Sequence, residues 1–245
     1  MQTQSNLSDI SEQLSRTEQL IGTDAQKKLQ NAVVAVFGLG GVGSFTVEAL
    51  ARAGIGTILL IDNDRIKESN INRQLFATHS TIGMLKSDIA LQRVKDINPT
   101  CNVKAYPIFY SKSAKKPLDV SLLSLDEELA KCSYIVDAID TISSKLLLIE
   151  KAIKLSIPIV SCMGAGNKID PCKFKIADIY KTEICPLART IRHECKKRHI
   201  KHLKVLFSTE YPIIKQSPPA SISYIPSIAG LMLASEVIRN LIKVK

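Results

Sequence analysis

The sequence has no paired cysteines, no secretory leader and no internal repeat, and each absence removes a class of protein. Its six cysteines, at 101, 132, 162, 172, 185 and 195, form no C-x-x-C pair, so no zinc ribbon and no regular disulfide framework is written into them. Isolated cysteines in a chain of 245 residues read as reduced thiols of a cytoplasmic protein. The opening MQTQSNLSDISEQ has neither a basic nor an apolar segment of the kind that directs secretion. IAGLMLA at 228–234 is too short to span a bilayer and runs into Ser235, Glu236 and Arg239, so no membrane partner is expected. What the chain does have is a 45% hydrophobic content, enough to fill a core, and a formal net charge of +10, which suits an acidic macromolecular partner.

Strand and helix patterns alternate along the first two thirds. VVAVF at 33–37 is a strand, 42–54 a helix stopping at Gly54, and TILLID at 57–62 a second strand. A helix over 86–97 ends before Asn98-Pro99, and a third strand fits 102–108. Residues 110–131 form a Lys- and Leu-rich, partly helical connection. A strand at 134–140, a helix at 144–155 and a strand at 158–162 follow. This alternation predicts an α/β, Rossmann-like, doubly wound and mainly parallel sheet. Residues 1–30 read as a helical arm, 31–162 as the nucleotide-binding core and 163–245 as an elaboration packed on it within one domain. That last part holds a turn-rich MGAGNKIDP loop, a basic helical stretch at 185–204, a strand at 205–210, a Pro/Ser loop and an apolar helix over 228–242.

The first strand empties into GLGGVGS, in which Gly38, Gly40 and Gly43 match G-x-G-x-x-G, with Gly41 between them. Such glycines permit a tight turn and close backbone approach to phosphate at a helix N-terminus. Asp62, ending the second strand, is placed to hold ribose hydroxyls. Asp64, Asn70, Arg73 and Gln74 follow in one polar segment, and then Lys86. Two cations beyond a ribose-binding acid suit a triphosphate better than a nicotinamide dinucleotide. Asp140, at the tip of the fourth strand, shares that sheet edge and is the candidate Mg²⁺ ligand. The expected cofactors are ATP and Mg²⁺.

These segments together, GLGGVGS, IDND, NINRQ and DAID, resemble the ubiquitin-activating-enzyme-like superfamily, whose bacterial members include the ThiF and MoeB adenylyltransferases. EALARAGIG at 48–56, INP at 97–99, GAGNKIDP at 164–171, KTEICPLA at 181–188 and FSTE at 207–210 resemble more closely its tRNA threonylcarbamoyladenosine dehydratase subgroup. The resemblance implies adenylation of a carboxylate on a modified adenosine beside the anticodon, followed by ring closure with net loss of water. It implies a homodimer in which Arg16 enters the neighbouring site, and it admits sulfurtransferase or acceptor proteins as partners. Catalytic roles fall by resemblance on Arg16, Arg73, Lys86 and Asp140. With tRNA as substrate, Arg189, Arg192, Lys196, Lys197 and Arg198 become its footprint, contacting backbone rather than bases.

Two readings stay beside this one: an adenylyltransferase acting on a sulfur-carrier protein, and a nicotinamide oxidoreductase. A non-catalytic RNA- or partner-binding scaffold is a third. The missing zinc pairs count against the first, and Arg73 with Lys86 against the second. Cys185, beside basic residues and near an expected helix start, is the candidate for an activated thiol, although an intramolecular cyclisation needs no enzyme nucleophile.

Overall fold

The computed structural model describes residues 7–111, 120–214, 216 and 218–243. Two helices, α1 (Leu7–Ile21) and α2 (Thr23–Gln30), precede β1 (Val33–Phe37), α3 (Gly43–Arg52) and β2 (Thr57–Ile61). Then come α4 (Lys86–Ile97), β3 (Asn102–Tyr106), α5 (Val120–Leu129), β4 (Tyr134–Asp137), α6 (Ile142–Lys154) and β5 (Ile159–Cys162). The chain closes with β6 (Phe174–Asp178), α7 (Pro186–Lys197), β7 (Lys204–Ser208) and α8 (Tyr224–Ile242). All seven strands join one sheet in the order β3-β2-β1-β4-β5-β7-β6, parallel except for the antiparallel β6–β7 pair at the edge.

Because side chains alternate across a strand, the central strands feed two cores. Val34, Val36, Ile58 and Leu60 face the layer that includes α3, α4 and α8. Ala35, Phe37, Leu59 and Ile61 face the opposite layer, with Leu125, Leu129, Leu148 and Ala152 of α5 and α6. Helices therefore cover both faces, which explains why β1 and β2 read as continuous apolar runs rather than as alternating ones.

Several boundaries depart from the sequence reading, and the basic helix expected over 185–204 ends at Lys197. The third strand stops at Tyr106 rather than at 108, and the fourth at Asp137, freeing residues 138–140 as a loop at the sheet edge. β6 was not expected: FKIAD carries a weak apolar pattern after a turn-rich loop, and its pairing with β7 (Phe174↔Ser208 to Asp178↔Lys204) defines it. The last helix starts at Tyr224 and reaches 19 residues, long and apolar enough by composition to cross a membrane. Its apolar stripe is used in the core instead: Ile225, Ala229, Leu233 and Val237 are fully buried. Thr46 Oγ1 of α3 donates to Gly230 O at 3.0 Å, tying the two helices together. Of the 110–131 connection, residues 112–119 lie outside the described residues, and α5 occupies much of the remainder.

A charged pair is sealed between β4, β5 and α6. Lys145 Nζ donates to Asp137 Oδ2 at 2.8 Å, to Ser161 Oγ at 3.1 Å and to Cys162 O at 2.9 Å. Ser161 Oγ donates to the same Asp137 oxygen at 2.5 Å. Both charged side chains have zero exposure. All three ammonium protons have acceptors, so the charge is compensated where water cannot reach it. Removing one partner leaves the other charge buried alone. Lys145→Met is therefore expected to lower unfolding stability by about 3–5 kcal/mol, read by urea denaturation; a loss below about 1 kcal/mol contradicts this reading of the pair.

Candidate active site

The order β3-β2-β1-β4-β5 reverses direction between β1 and β4, and at such a switch point the loops leaving neighbouring strands part to form a crevice. A cavity of about 520 Å³ lies there, within the roughly 300–1,000 Å³ usual for small-ligand sites. Its lining includes Gly38, Gly40 and Gly41 from the loop after β1, and Asp62 and Asp64 after β2. Asn70, Arg73, Gln74 and Lys86 complete that side, and Asp140 comes from the loop after β4. Of the residues expected in the nucleotide site, Gly43 lies behind the wall and Arg16 lies elsewhere.

Gly43 is structural: a Cβ there would sit 1.7 Å from Gly38 O. Gly38 has φ +85°, and its Cβ would meet Ala138 O at 2.6 Å, so the first turn is closed to any side chain. Pro226 of α8 backs the loop, its Cβ 3.0 Å from a Cβ built on Gly41.

Asp62 is the centre of the arrangement. Its Oδ2 accepts Leu39 N of the glycine loop at 2.7 Å, and its Oδ1 accepts Asp64 N at 2.7 Å. Burial pushes the carboxyl above its ordinary range, opposed by the nearby Lys86 charge and these two amide donors. A carboxylate offers about four acceptor positions, so two are left beside these two amide donors. Lys86, 5% exposed, donates to Asp64 Oδ2 at 2.8 Å and lies 4.0 Å from Asp62 Oδ2. Arg73 is held by neutral oxygens, Ser69 O at 2.9 Å and Asn72 Oδ1 at 2.8 Å. Its charge is left for an incoming anion. Asn70 Oδ1 accepts Lys67 N at 3.1 Å, which shapes the short turn carrying Arg73, while Gln74 Nε2 stands 3.7 Å from a Cβ built on Gly40.

Several lining residues were not singled out from sequence. Lys67, Phe109, Thr141 and Ser144 line the cavity, as do Gly166 and Pro219. Lysines and serines are too common for such positions to stand out, and Phe109 carries signal only once β3 is known to end at Tyr106.

Arg16 is exposed on α1 and stands at the far end of the sheet. Gln13 Nε2 donates to Ile97 O, and Leu14 packs against Gly54. α4 begins at Lys86 in the cavity and ends at Ile97, about 16 Å away at 1.5 Å per residue. Arg16 is thus not brought into the site of its own chain.

The basic stretch forms α7 and the turn after it, but its cations are unequal. Arg192 Nη1 donates to Thr182 O and Thr182 Oγ1, each at 2.7 Å, holding the preceding turn. Arg198 pairs with Glu150 at 2.7 Å and with Glu194, and Lys197 pairs with Glu194 at 3.3 Å. Arg189 and Lys196 are exposed and, among the described residues, have no ion-pair partner.

Cys185 caps α7 at the expected helix start, but it is 4% exposed and absent from the cavity lining. Burial raises the thiols of Cys101 and Cys195 to about 11 and those of Cys132 and Cys162 to about 12. Cys172 is the exposed one. Thiol titration of the native protein in mildly alkaline buffer is expected to count one fast thiol, mapping to Cys172, and six after denaturation. A second fast thiol at Cys185 would contradict its burial.

Residues 12–245 match the ThiF family. The tRNA threonylcarbamoyladenosine dehydratase of Bacillus subtilis is 41% identical over 94% of this chain and 95% of its own length. That of Escherichia coli is 35% identical over 82% of this chain and 75% of its own. A crystal structure of the E. coli enzyme in complex with ATP superposes with a TM-score of 0.87 at 29% identity, covering 97% of this chain and 96% of that one. A family match over nearly the whole chain, and a relative aligned almost end to end, establish that the chain belongs to the ThiF family, in its tRNA threonylcarbamoyladenosine dehydratase branch.

Proposed function

We propose that this protein uses ATP to cyclise N6-threonylcarbamoyladenosine beside the anticodon of tRNA, through adenylation of its threonine carboxylate. The observation that carries the reading is one cavity joining a ribose-type acid, a glycine loop and two cations, Lys86 paired with Asp64 and Arg73 held only by neutral oxygens. Asp62 takes the ribose through its open acceptor positions. The glycine loop lies under the phosphates, with Asn70 and Gln74 donating amide hydrogens. Arg73 and Lys86 stabilise charge on the triphosphate as a carboxylate oxygen attacks the α-phosphorus and pyrophosphate departs. Lys86 exchanges its bond to Asp64 for one to phosphate. A nucleophile within the same side chain then attacks the activated carbonyl and expels AMP. The oxygen lost from the nucleoside leaves in AMP, so one water is lost overall and no enzyme nucleophile is consumed, consistent with the buried Cys185.

Among the described residues no three His, Cys, Asp or Glu side chains gather as a metal cage. That suits Mg²⁺, which keeps several waters and is held by one or two carboxylates plus phosphates. Asp140, exposed at the cavity rim, is the carboxylate proposed to hold it, and the ion would supply charge neutralisation on the phosphates. The enzyme is proposed to act in the cytoplasm, where its tRNA substrate is. Arg189 and Lys196, exposed and without an ion-pair partner among the described residues, are proposed as leading contacts to the tRNA backbone, with Lys197 beside them. Arg192 and Arg198 are proposed mainly to hold the shape of that surface.

Arg16 stands about one helix length from the cavity of its own chain, so it serves the reaction only if a second copy presents it. We therefore propose a homodimer with Arg16 donated in trans. Mixing Arg16→Ala and Arg73→Ala proteins, each inactive alone, is expected to restore about a quarter of wild-type activity, since half the dimers are mixed and one site in each is intact. No recovery contradicts donation in trans.

The direct test is incubation with MgATP and tRNA bearing threonylcarbamoyladenosine, followed by nucleoside mass spectrometry. Loss of one water is expected from wild-type protein, falling about 100-fold or more in Arg73→Ala. An unchanged nucleoside with wild-type protein overturns the proposal.

A further inference from the structure

The wall opposite the cations is built from the loop after β4 and the first turn of α6, and it has two unmet hydrogen-bonding capacities. Thr141 is the N-cap of α6 but makes no side-chain cap. Its Oγ1 donates to Asp140 Oδ1 at 3.3 Å instead, so the first amides of the helix are left uncapped by it. Ser144, in that first turn, is 1% exposed and lines the cavity, and its hydroxyl has no hydrogen-bond partner. Among the described residues three buried side-chain oxygens lack a partner, Gln26 Oε1, Ser87 Oγ and Ser144 Oγ. Ser144 alone of these lines the nucleotide cavity. Such groups are rare in native folds and expensive to keep without a purpose.

The helix end is also held in place from below. Lys145, the next residue, is fixed to Asp137, Ser161 and Cys162 O, so the turn bearing Ser144 is anchored rather than free to turn away. An uncapped helix start with a spare hydroxyl favours an anion carrying acceptor oxygens. Charge decides which anion. The triphosphate suits the opposite wall, where Lys67, Arg73 and Lys86 stand. That leaves the helix start to the other anion of the proposed reaction, the singly charged carboxylate.

Building on the function proposed above, we infer that Ser144 and the first turn of α6 hold the threonine carboxylate of the substrate, positioning it against the α-phosphate. The Ser144 hydroxyl donates to one carboxylate oxygen and leaves the other for attack.

Ser144→Ala deletes only the unpartnered hydroxyl, so its melting temperature is expected to equal or exceed that of wild type. Affinity for a non-hydrolysable ATP analogue, measured by calorimetry, is expected to be unchanged. KM for tRNA bearing threonylcarbamoyladenosine is expected to rise about 10-fold or more, the range for a lost hydrogen bond to a charged group. An unchanged KM overturns the inference, and so does an equal fall in ATP-analogue affinity, which would place Ser144 in the nucleotide subsite. Wild-type protein that leaves the nucleoside unchanged overturns the reading of function, and this inference with it.

Discussion

The site depends on one carboxylate bridging two loops. Asp62 holds the glycine loop through Leu39 N and its own following turn through Asp64 N, so the loops after β1 and β2 are fixed to each other before any ligand arrives. Without that bridge, the glycine loop would lose its register against the segment carrying Arg73 and Lys86. Burial works against the charge on Asp62, and Lys86 with the two amides works for it. The residue that positions the loops thus also keeps the spare acceptor positions that the proposed function gives to the ribose, so that preorganisation and binding would share one side chain.

The rest of the fold supports this bridge from two sides. α8, despite its apolar length, serves as a buttress, with Pro226 against the glycine loop and Thr46 bonded to Gly230 O. On the other side the sealed Lys145–Asp137 pair pins the start of α6. Both devices place a helix at the cavity wall and restrict its movement. The open acceptors of Asp62, the charge of Arg73 and the unpartnered Ser144 hydroxyl all line one crevice.

Much of this was legible in the sequence where local chemistry is decisive. Apolar runs predicted six of the strands within a few residues, and the glycine spacing with Asp62, Asn70, Arg73, Gln74, Lys86 and Asp140 predicted residues that the structure gathers in one cavity. Long-range partnership was not legible. Nothing in SSKLLLIEK says that Lys145 points inward to Asp137, and nothing in FKIAD says that β7 will pair with it. The basic stretch shows the same limit: charge counting treats Arg192 and Arg189 alike, yet Arg192 is committed to Thr182. The Cys185 reading found the helix start but could not see the burial that comes with packing near Gly164 in the cluster of Met163, Ala188 and Ile191.

The central claim is that the threonine carboxylate is activated by adenylation in this cavity. The most direct measurement follows its oxygens. With tRNA carrying threonylcarbamoyladenosine labelled with oxygen-18 in that carboxylate, the account predicts one labelled oxygen in the phosphate of AMP and the other kept in the cyclised nucleoside. Label in inorganic phosphate or pyrophosphate, or AMP without label beside cyclised product, would contradict attack of the carboxylate at the α-phosphorus.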